Sequence, residues 1–356
     1  MRDVSDGSTE SDDGSQRIGT RLRVVSAFGI AVFLVLLLVY AVGWEEVLEE
    51  VSETTPVYLL AFVSTTVCLV FRSSVWSKIL SIVGEEASRV SVFSVFLTST
   101  FMKYVTPYGQ VVAPAGVAAV LSRNIGVEYE RSAATVVSAD FLNYVPYYTF
   151  GGVSLAYFVL TVGVPRLGGY GVVLVGLLAA VGVVVFVFWR RRGTFESALL
   201  TVTSPLRRAA GFVSEDLRDS LSREKMRDRL EGFYATLELV SKDRRGVVGA
   251  LVLAHVGWLF LMLPLYIAAA SIGDPVPLHL AVLVVALSKL GFLVPLPGGL
   301  GGVELTIAAV LVLVAGVPAD AATAIALLFR LSTYWYSVVV GGLSSVYLAA
   351  PSSLSG

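Results

Sequence analysis

The sequence predicts an all-α polytopic membrane protein with about six full spans and two re-entrant helical hairpins, arranged as an inverted repeat. Hydrophobic residues make up 56% of the 356 positions, charged residues only 15%, and the mean hydropathy is +0.79, a balance that soluble globular domains rarely reach. Apolar runs long enough to cross a bilayer recur along the chain. Two further apolar regions are interrupted by proline and glycine.

The crossings follow from hydropathy in chain order. Residues 1–20 are polar and acidic, which predicts a disordered tail. The transmembrane domain then covers residues 21–350, and residues 351–356 form a C-terminal tail. The predicted crossings are residues 24–44, 57–71 with an extension towards residue 80, 131–162, 168–189, 247–272 and 320–349.

The two interrupted regions are predicted to be re-entrant hairpins. Residues 90–122 break at Thr106-Pro107-Tyr108-Gly109. Residues 278–316 break at residues 295–304, which contain two prolines, four glycines and the acid Glu304. Helix-breaking backbone at membrane depth is tolerated only where protein or a wet cavity satisfies the freed N–H and C=O groups. A break followed by a carboxylate therefore indicates a site rather than a passive anchor.

Both regions carry residues of the same kind at matching intervals, which predicts an internal repeat. In each region a proline precedes a glycine by the same distance along the chain, and further on a charged residue precedes a tyrosine by one helical turn. The matching pairs are Pro107 with Gly126, Pro297 with Gly316, Asp140 with Tyr144, and Arg330 with Tyr334. Because three crossings separate the hairpins, the two copies should enter from opposite faces, as in many transporters.

Basic residues predict the orientation in the cell membrane. The loop 190–246 holds 13 of the 26 Lys and Arg residues, so it should be cytoplasmic together with both termini. The segment 45–56 has five glutamates and no basic residue, which fits the outside. Within the loop, apolar residues at helical spacing predict an amphipathic helix on the inner leaflet. These residues are Leu217, Leu221, Met226, Leu230, Phe233 and Leu237.

Five charged residues fall inside apolar segments, namely Lys103, Asp140, Lys289, Glu304 and Arg330. An unpaired charge at a helix centre costs roughly 2.5–3.5 kcal/mol, so these side chains should face the interior and pair. Asp140 could pair with Lys103 or Arg330, and Glu304 with Lys289 or Arg330. In a functional interpretation the cations bind a lipid phosphate, while the acids hold them in place or exchange protons. The alternative is a set of structural ion pairs that fix helix register.

The glycines of the second break, Gly298, Gly299 and Gly301, form a second candidate anion site. A half-helix that starts near Gly301 would direct free N–H groups and the positive end of its dipole into the membrane core, where a phosphate could bind. The alternative is that the glycines permit close helix packing. Gly109 and Gln110 are the matching candidates in the first hairpin.

The second break and its downstream residues resemble the flippase-like integral membrane family, also called the lysylphosphatidylglycerol synthase transmembrane-region family. The residues that carry the resemblance, which spans roughly residues 25–350, are Pro297 to Gly301, Glu304, Gly316-Val317, Leu328 to Arg330, Tyr334-Trp335 and Gly341, with Thr106 to Asn124 in the first hairpin. Some members move aminoacylated phospholipids, and others are linked to lipid-carried sugars in envelope glycosylation. The resemblance implies membrane lipids as partners, either phospholipid or polyprenyl-phosphate-linked, with envelope-biosynthesis proteins as further candidates.

The expected function is translocation of an anionic lipid or a lipid-linked glycan headgroup between leaflets. No aminoacyl-transfer, glycosyltransferase or ATP-binding motif is present in the sequence, so we expect no enzyme activity. We expect no cofactor and no metal site, and the net charge of -1 argues against nucleic acid. A small-molecule or ion transporter, a membrane-embedded enzyme, and an accessory membrane subunit of envelope glycosylation or lipid modification are the alternatives.

Overall fold

The computed structural model describes residue 40 and residues 44–52, 54–162, 223–294 and 296–349, and every regular element in these ranges is helical. The α-helices of these ranges are α1 Trp44–Ser52, α2 Leu59–Ile82, α3 Arg89–Val105, α4 Gly109–Ile125, α5 Tyr129–Val162, α6 Arg223–Lys242, α7 Arg244–Ser271, α8 Leu278–Leu287, α9 Gly302–Val310, α10 Ala319–Arg330 and α11 Tyr336–Ala349. Short 3-10 segments are Pro56–Tyr58, Ser288–Leu293 and Pro297–Gly299, and π-helical segments are Leu311–Ala315 and Leu331–Trp335.

Four helical stretches of the described ranges are long and apolar enough to cross a bilayer, namely Pro56–Ile82, Arg244–Ser271, Pro297–Ala315 and Ala319–Ala349. Three of them coincide with predicted crossings. The fourth is the second limb of the predicted second hairpin, so this limb could cross on its own by length and composition. The crossing predicted at 131–162 coincides with the 34-residue helix α5.

Some predicted features lie on residues that the structure does not describe. They are the tails 1–20 and 351–356, almost all of the crossing 24–44, the crossing 168–189, and residues 190–222 of the basic loop. The remainder of that loop forms α6, which packs against α5 and α7, with Thr236 and Val240 buried. In the described part, the predicted amphipathic helix is therefore docked against the helix bundle as well as exposed on its other face.

The fold has two halves whose first helices pack antiparallel. The first half is α2 to α5 and the second is α7 to α11. The N–H of Thr55, before α2, donates to the carbonyl of Ser271 at the end of α7 at 3.1 Å. At the opposite end, Gly246 near the start of α7 lies against Ile82, the last residue of α2. The two helices thus run side by side over their whole length.

Each half then sends the first helix of its hairpin onto the long final helix of the other half. Helix α3 packs against α11, and α8 packs against α5. A glycine marks each crossing, because a Cβ at Gly341 would meet Leu97 and Phe101, and a Cβ at Gly151 would meet Ala286. Shortly after each glycine a serine hydroxyl donates to a backbone carbonyl of the packed helix, Ser344 to Ser94 at 2.8 Å and Ser154 to His279.

Left-handed backbone recurs in the same order in both halves. Three of these residues correspond between the halves: one ends the first helix, one is the first left-handed residue of the hairpin turn, and one ends the hairpin. They are Gly84, Tyr108 and Gly126 in the first half, and Gly273, Gly298 and Gly316 in the second. The interval from turn to hairpin end is the same in both sets, and the preceding interval is nearly so. Because glycine alone adopts positive φ without steric cost, it supplies five of these six residues.

Candidate functional site

The break in the second hairpin is a turn built from glycines. It packs against the π-helical segment Leu331–Trp335. Gly298, Gly299 and Gly301 all have positive φ, and α9 begins at Gly302 with Gly301 as its N-cap, as the sequence predicted. A side chain at Gly298 would overlap the ring of Tyr334. Close packing is therefore one demonstrated role of this turn, in addition to its conformational freedom.

Arg330 binds Glu304 and closes this turn. The guanidinium Nε donates to Glu304 Oε1 at 2.8 Å, and a second guanidinium nitrogen donates to the carbonyl of Gly298 at 2.9 Å. The guanidinium also lies over the Tyr334 ring at 4.1 Å. Both charged side chains are almost completely buried, at 6% and 2% exposure. Of the two partners predicted for Glu304, the structure selects Arg330.

Glu304 lies in the first turn of α9, where the helix dipole favours a negative charge. Its Oε1 accepts the bond from Arg330, whereas the buried Oε2 has no hydrogen-bond partner among the described residues. The acid thus occupies the helix end that the sequence offered as an anion site. Its negative charge lies in the first turn of α9, but no side-chain hydrogen bond caps the helix there.

The turn of the first hairpin shares one left-handed position with the second but differs in composition. Tyr108 occupies the left-handed position with φ of 52°, and α4 begins at Gly109, where a Cβ would overlap the backbone of Lys103. Gln110 follows, and its Oε1 accepts a hydrogen bond from the Tyr144 hydroxyl at 2.5 Å. Gly109 therefore allows close packing, and Gln110 ties the hairpin to α5.

Lys103 and Asp140 form the second buried ion pair. The Nζ of Lys103 lies 2.5 Å from Asp140 Oδ2, and the ammonium also lies 5.5 Å from the Trp76 ring. The side chains are 10% and 18% exposed, so this pair is more open than that of Arg330 and Glu304. Of the two partners predicted for Asp140, the structure selects Lys103.

Lys289 lies in the 3-10 segment after α8 and points into an aromatic cage. Its ammonium is 4.4 Å from the Tyr147 ring, 4.5 Å from Phe292 and 5.5 Å from Tyr144. Cation–π attraction of this kind contributes about 0.5–2 kcal/mol. No carboxylate pairs with Lys289 in the ranges that the structure describes.

The two hairpins meet at the centre of the fold. The Tyr334 hydroxyl donates to the carbonyl of Tyr104 at 3.3 Å, and their rings are 5.2 Å apart. Leu296 and Leu300 complete this small buried cluster. Tyr144 links Gln110 of the first hairpin to the Lys289 cage. The predicted site residues of both halves are therefore brought to one region.

Arg72 is a charged residue of this region that sequence reasoning missed. It lies in the middle of α2 and interacts electrostatically with Cys68, Tyr104, Tyr144 and Tyr147. Its Nε is buried without a hydrogen-bond partner among the described residues. The available signal was an arginine between the predicted crossing 57–71 and its extension towards residue 80, which was not counted among the charges inside apolar segments.

The balance of charge in this region is positive. Arg72, Lys103, Lys289 and Arg330 contribute four positive charges, and Asp140 and Glu304 contribute two negative ones. Arg72 and Arg330 both lie within electrostatic range of Lys289. Like charges in a medium of low dielectric repel strongly, so this arrangement is suited to an anion.

Two relatives have similar length and share low sequence identity with this chain. A UPF0104 membrane protein of Methanothermobacter thermautotrophicus is 22% identical over 333 residues, covering 92% of this chain and 95% of the relative. A UPF0104 membrane protein of Pyrococcus horikoshii is 24% identical over 326 residues, covering 88% and 94%. Both similarities thus extend over nearly the full length.

A family model described as the lysylphosphatidylglycerol synthase TM region matches residues 24–341. The match includes both hairpins, both buried ion pairs, the Lys289 cage and Arg72. The chain therefore belongs to the family of the lysylphosphatidylglycerol synthase transmembrane region.

Proposed function

We propose that this membrane protein translocates an anionic lipid headgroup between leaflets, without modifying it. The observation that carries the proposal is the surplus of positive charge where the hairpins meet, with Lys289 and Arg72 left without carboxylate partners in the described ranges. A phosphate headgroup would supply the missing negative charge. The apolar tail would stay in the bilayer, where it loses no hydrophobic contact.

An inverted repeat supports alternating exposure of this site. The left-handed residues recur with nearly equal spacing, and the glycine crossings Gly151 and Gly341 follow Gly126 and Gly316 at equal distances along the chain. Antiparallel packing of the first helices of the two halves is what an axis in the membrane plane would produce. In such a protein the two halves can exchange conformations, which exposes a central site first to one side and then to the other.

The predicted site residues take different roles in this proposal. Lys289 contacts the headgroup, because its ammonium lies among aromatic rings and pairs with no carboxylate of the described ranges. Arg330 and Glu304 hold the turn of the second hairpin, through the bond to Gly298. Lys103 and Asp140 hold the first hairpin against α5.

The turn residues position these charges. Gly298 allows the second break to pack against Tyr334 in the π segment before α11, Gly299 packs against Val303 and Phe292 of its own hairpin, and Gly301 supplies the positive φ at the start of α9. Gly109 and Gln110 set the start of α4 and its link to Tyr144. In the resting conformation these residues shape the site, and none of them is required to bind the phosphate directly.

Transport in vesicles tests the proposal. The protein would be reconstituted with headgroup-labelled phosphatidic acid, phosphatidylglycerol or phosphatidylcholine in one leaflet, and the appearance of label in the other leaflet would be followed. Wild type should move anionic lipids faster than phosphatidylcholine, and Lys289→Gln should abolish most of this rate. Lys242→Gln is the matched control, because Lys242 pairs with Glu238 on the exposed face of α6.

Three results would count against the proposed site or against translocation of lipid. Vesicles in which wild type and Lys289→Gln move all three lipids equally would exclude the proposed site. Uptake of soluble anions with no lipid movement would favour a small-molecule transporter. Stability that depends on another envelope protein, with no transport by the purified chain, would favour an accessory subunit.

Membrane orientation can be measured separately with single cysteines. Ser52 at the end of α1 and Ser241 on α6 are both exposed, and the native Cys68 is buried. Ser52→Cys should react with a membrane-impermeant maleimide from outside the cell, and Ser241→Cys only after permeabilisation. Labelling of both from the same side would overturn the predicted topology.

A further inference from the structure

Arg72 and Lys289 come from opposite halves and form an uncompensated cation pair. Arg72 stands on α2 with its guanidinium carbon 6.0 Å from the centre of the Phe96 ring. Lys289 stands after α8 and is enclosed by rings. Electrostatic repulsion acts between them, and the neighbouring Arg330 adds to it. The fold thus holds the cations Arg72 and Lys289 near each other where the two halves meet, a place called the junction below. No carboxylate of the described structure pairs with either of them.

The two nearby carboxylates are already committed to other cations. Asp140 Oδ2 binds Lys103, and Glu304 Oε1 binds Arg330. Each of these pairs is close to neutral as a unit, so neither can offset the charge of Arg72. With both Arg72 and Lys289 protonated, the uncompensated charge where the two halves meet is two positive units.

Hydrogen-bond donors accompany this charge. Arg72 has a buried Nε–H without an acceptor among the described residues. The ring of Tyr147 contacts Lys289 and lies within electrostatic range of Arg72, whereas the hydroxyl of Tyr144 already donates to Gln110. Arginine and tyrosine donors suit an oxygen-rich anion, because phosphate oxygens accept several bonds at once.

We propose that Arg72 and Lys289 together form a site for a doubly charged phosphate monoester. The inference rests on the proposed function and narrows its substrate class. A phosphate monoester carries about −1.5 to −2 charges at neutral pH, which matches two free cations. A phosphodiester carries a single negative charge and leaves one cation uncompensated. A headgroup with an additional ammonium brings a third positive charge to a region whose carboxylates are engaged.

Binding to the intact protein in detergent tests this substrate class. The probes are short-chain phosphatidic acid, short-chain phosphatidylglycerol and inorganic phosphate, with affinity measured by equilibrium binding. Wild type should bind phosphatidic acid about tenfold or more tighter than phosphatidylglycerol, since one compensated charge contributes on the order of one decade. Arg72→Gln and Lys289→Gln should each remove this preference, whereas Arg72→Lys should keep it.

Arg131→Gln is the matched control for general attraction of anionic lipid. Arg131 is half-exposed near the start of α5, where it pairs with Glu85 at 2.9 Å. The Arg131→Gln variant should keep the preference for phosphatidic acid over phosphatidylglycerol. Arg72→Lys also guards against failure to fold, because it retains the charge in α2. A second readout is pH: the preference for phosphatidic acid should fall as the pH drops below about 6, where the second phosphate proton is bound.

The outcomes separate the substrate class from the function. Equal affinity for phosphatidic acid and phosphatidylglycerol, or a preference that persists in both glutamine variants, overturns the phosphate-monoester site while translocation can still stand. If inorganic phosphate binds as tightly as phosphatidic acid, the site recognises a phosphate monoester and its ligand is free phosphate. If inorganic phosphate binds weakly, the ligand of the site is a lipid. Failure of wild type to move any lipid in vesicles rejects the proposed function, whatever the binding result.

Discussion

Each hairpin forms one ion pair with the helical stretch that follows it, and the positions of acid and cation are exchanged between the two pairs. In each half a charged residue follows the glycine that ends the hairpin, at the same distance along the chain, Asp140 after Gly126 and Arg330 after Gly316. In the first half this residue is the acid, and the hairpin supplies the cation. In the second half the residue is the cation, and the hairpin supplies the acid. Both pairs fasten a hairpin to the long helical stretch that follows it.

The pairs differ in how tightly they are enclosed. Arg330 makes three contacts, to Glu304, to the Gly298 carbonyl and to the Tyr334 ring, and the pair is at most 6% exposed. Lys103 makes two contacts, the ion pair with Asp140 and a more distant one with the Trp76 ring at 5.5 Å, and it reaches 10% exposure, with its acid at 18%. The two ion pairs therefore differ in how many contacts must break before the hairpin separates from its following helix. The second hairpin is locked in this conformation, and the first is the one that needs fewer broken contacts to separate.

The largest expected effect is loss of the locked pair. Arg330→Ala leaves Glu304 buried without its cation and removes the donor to Gly298. Breaking one partner out of a buried ion pair costs about 3–5 kcal/mol. We expect a large fall in the melting temperature of the detergent-solubilised protein, measured by intrinsic fluorescence.

Arg131→Ala is the control for this substitution, because it removes an exposed ion pair worth about 0–1 kcal/mol. Lys103→Ala should fall between the two variants. Equal melting temperatures for Arg330→Ala and Lys103→Ala would show that enclosure does not distinguish the two hairpins.

The next effect concerns the turn glycines. Gly298→Ala must adopt positive φ and also place a Cβ against the Tyr334 ring. The left-handed backbone costs roughly 1–2 kcal/mol, and overpacking adds about 1–3 kcal/mol. Gly126→Ala has the same backbone strain but open space around the new Cβ. Thermal unfolding should therefore show a larger loss for Gly298→Ala.

An equal loss in both variants would mean that the turn of the second hairpin can move away from Tyr334 without cost. That result would remove one of the contacts that distinguish the locked hairpin.

Charge exchange separates an ion pair from a wider network. The single variants Lys103→Asp and Asp140→Lys each place like charges together, and their combination restores attraction. Because this pair is partly exposed, we expect each single change to cost about 1–3 kcal/mol and the double variant to recover most of it. A double-mutant cycle of unfolding free energies gives the coupling.

The same exchange in the second hairpin, Glu304→Arg with Arg330→Glu, should not recover stability. A glutamate at position 330 has no donor for the Gly298 carbonyl and no cation for the Tyr334 ring. Recovery there as complete as in the first hairpin would show that the additional contacts of Arg330 are energetically minor.

The sequence predicted the parts of this comparison but not how they connect. In the described ranges, hydropathy located the long apolar helices, and Pro107 and Pro297 located both breaks, because these signals are local. The partner of each charge was left open between two candidates. Lys103 and Asp140 are 37 residues apart, so only the packing of α3 against α5 decides that they meet.

Tertiary packing also decides the features that were missed. The cage around Lys289 joins rings from α5 to a segment of the other half, which no local pattern encodes. Whether a glycine faces a ring, as Gly298 does, or open space, as Gly126 does, depends on the opposite helix. Arg72 was missed for another reason, since it lies between the predicted crossing 57–71 and its extension towards residue 80 and was not counted as a charge inside an apolar segment.

The smallest effect tests the composition of the two turns. Tyr108 occupies the left-handed position that Gly298 occupies in the second hairpin, yet its side chain is 58% exposed and meets no crowded ring. Tyr108→Gly removes a backbone cost of roughly 1–2 kcal/mol and adds unfolded-chain flexibility worth about 0.5–1 kcal/mol. The net result should be a small rise in melting temperature. A clear fall instead would show that the exposed ring binds something in its surroundings, such as the membrane interface. In that case the first turn would be stabilised by a contact of Tyr108 outside the protein, whereas the second turn is stabilised by Arg330 and Tyr334.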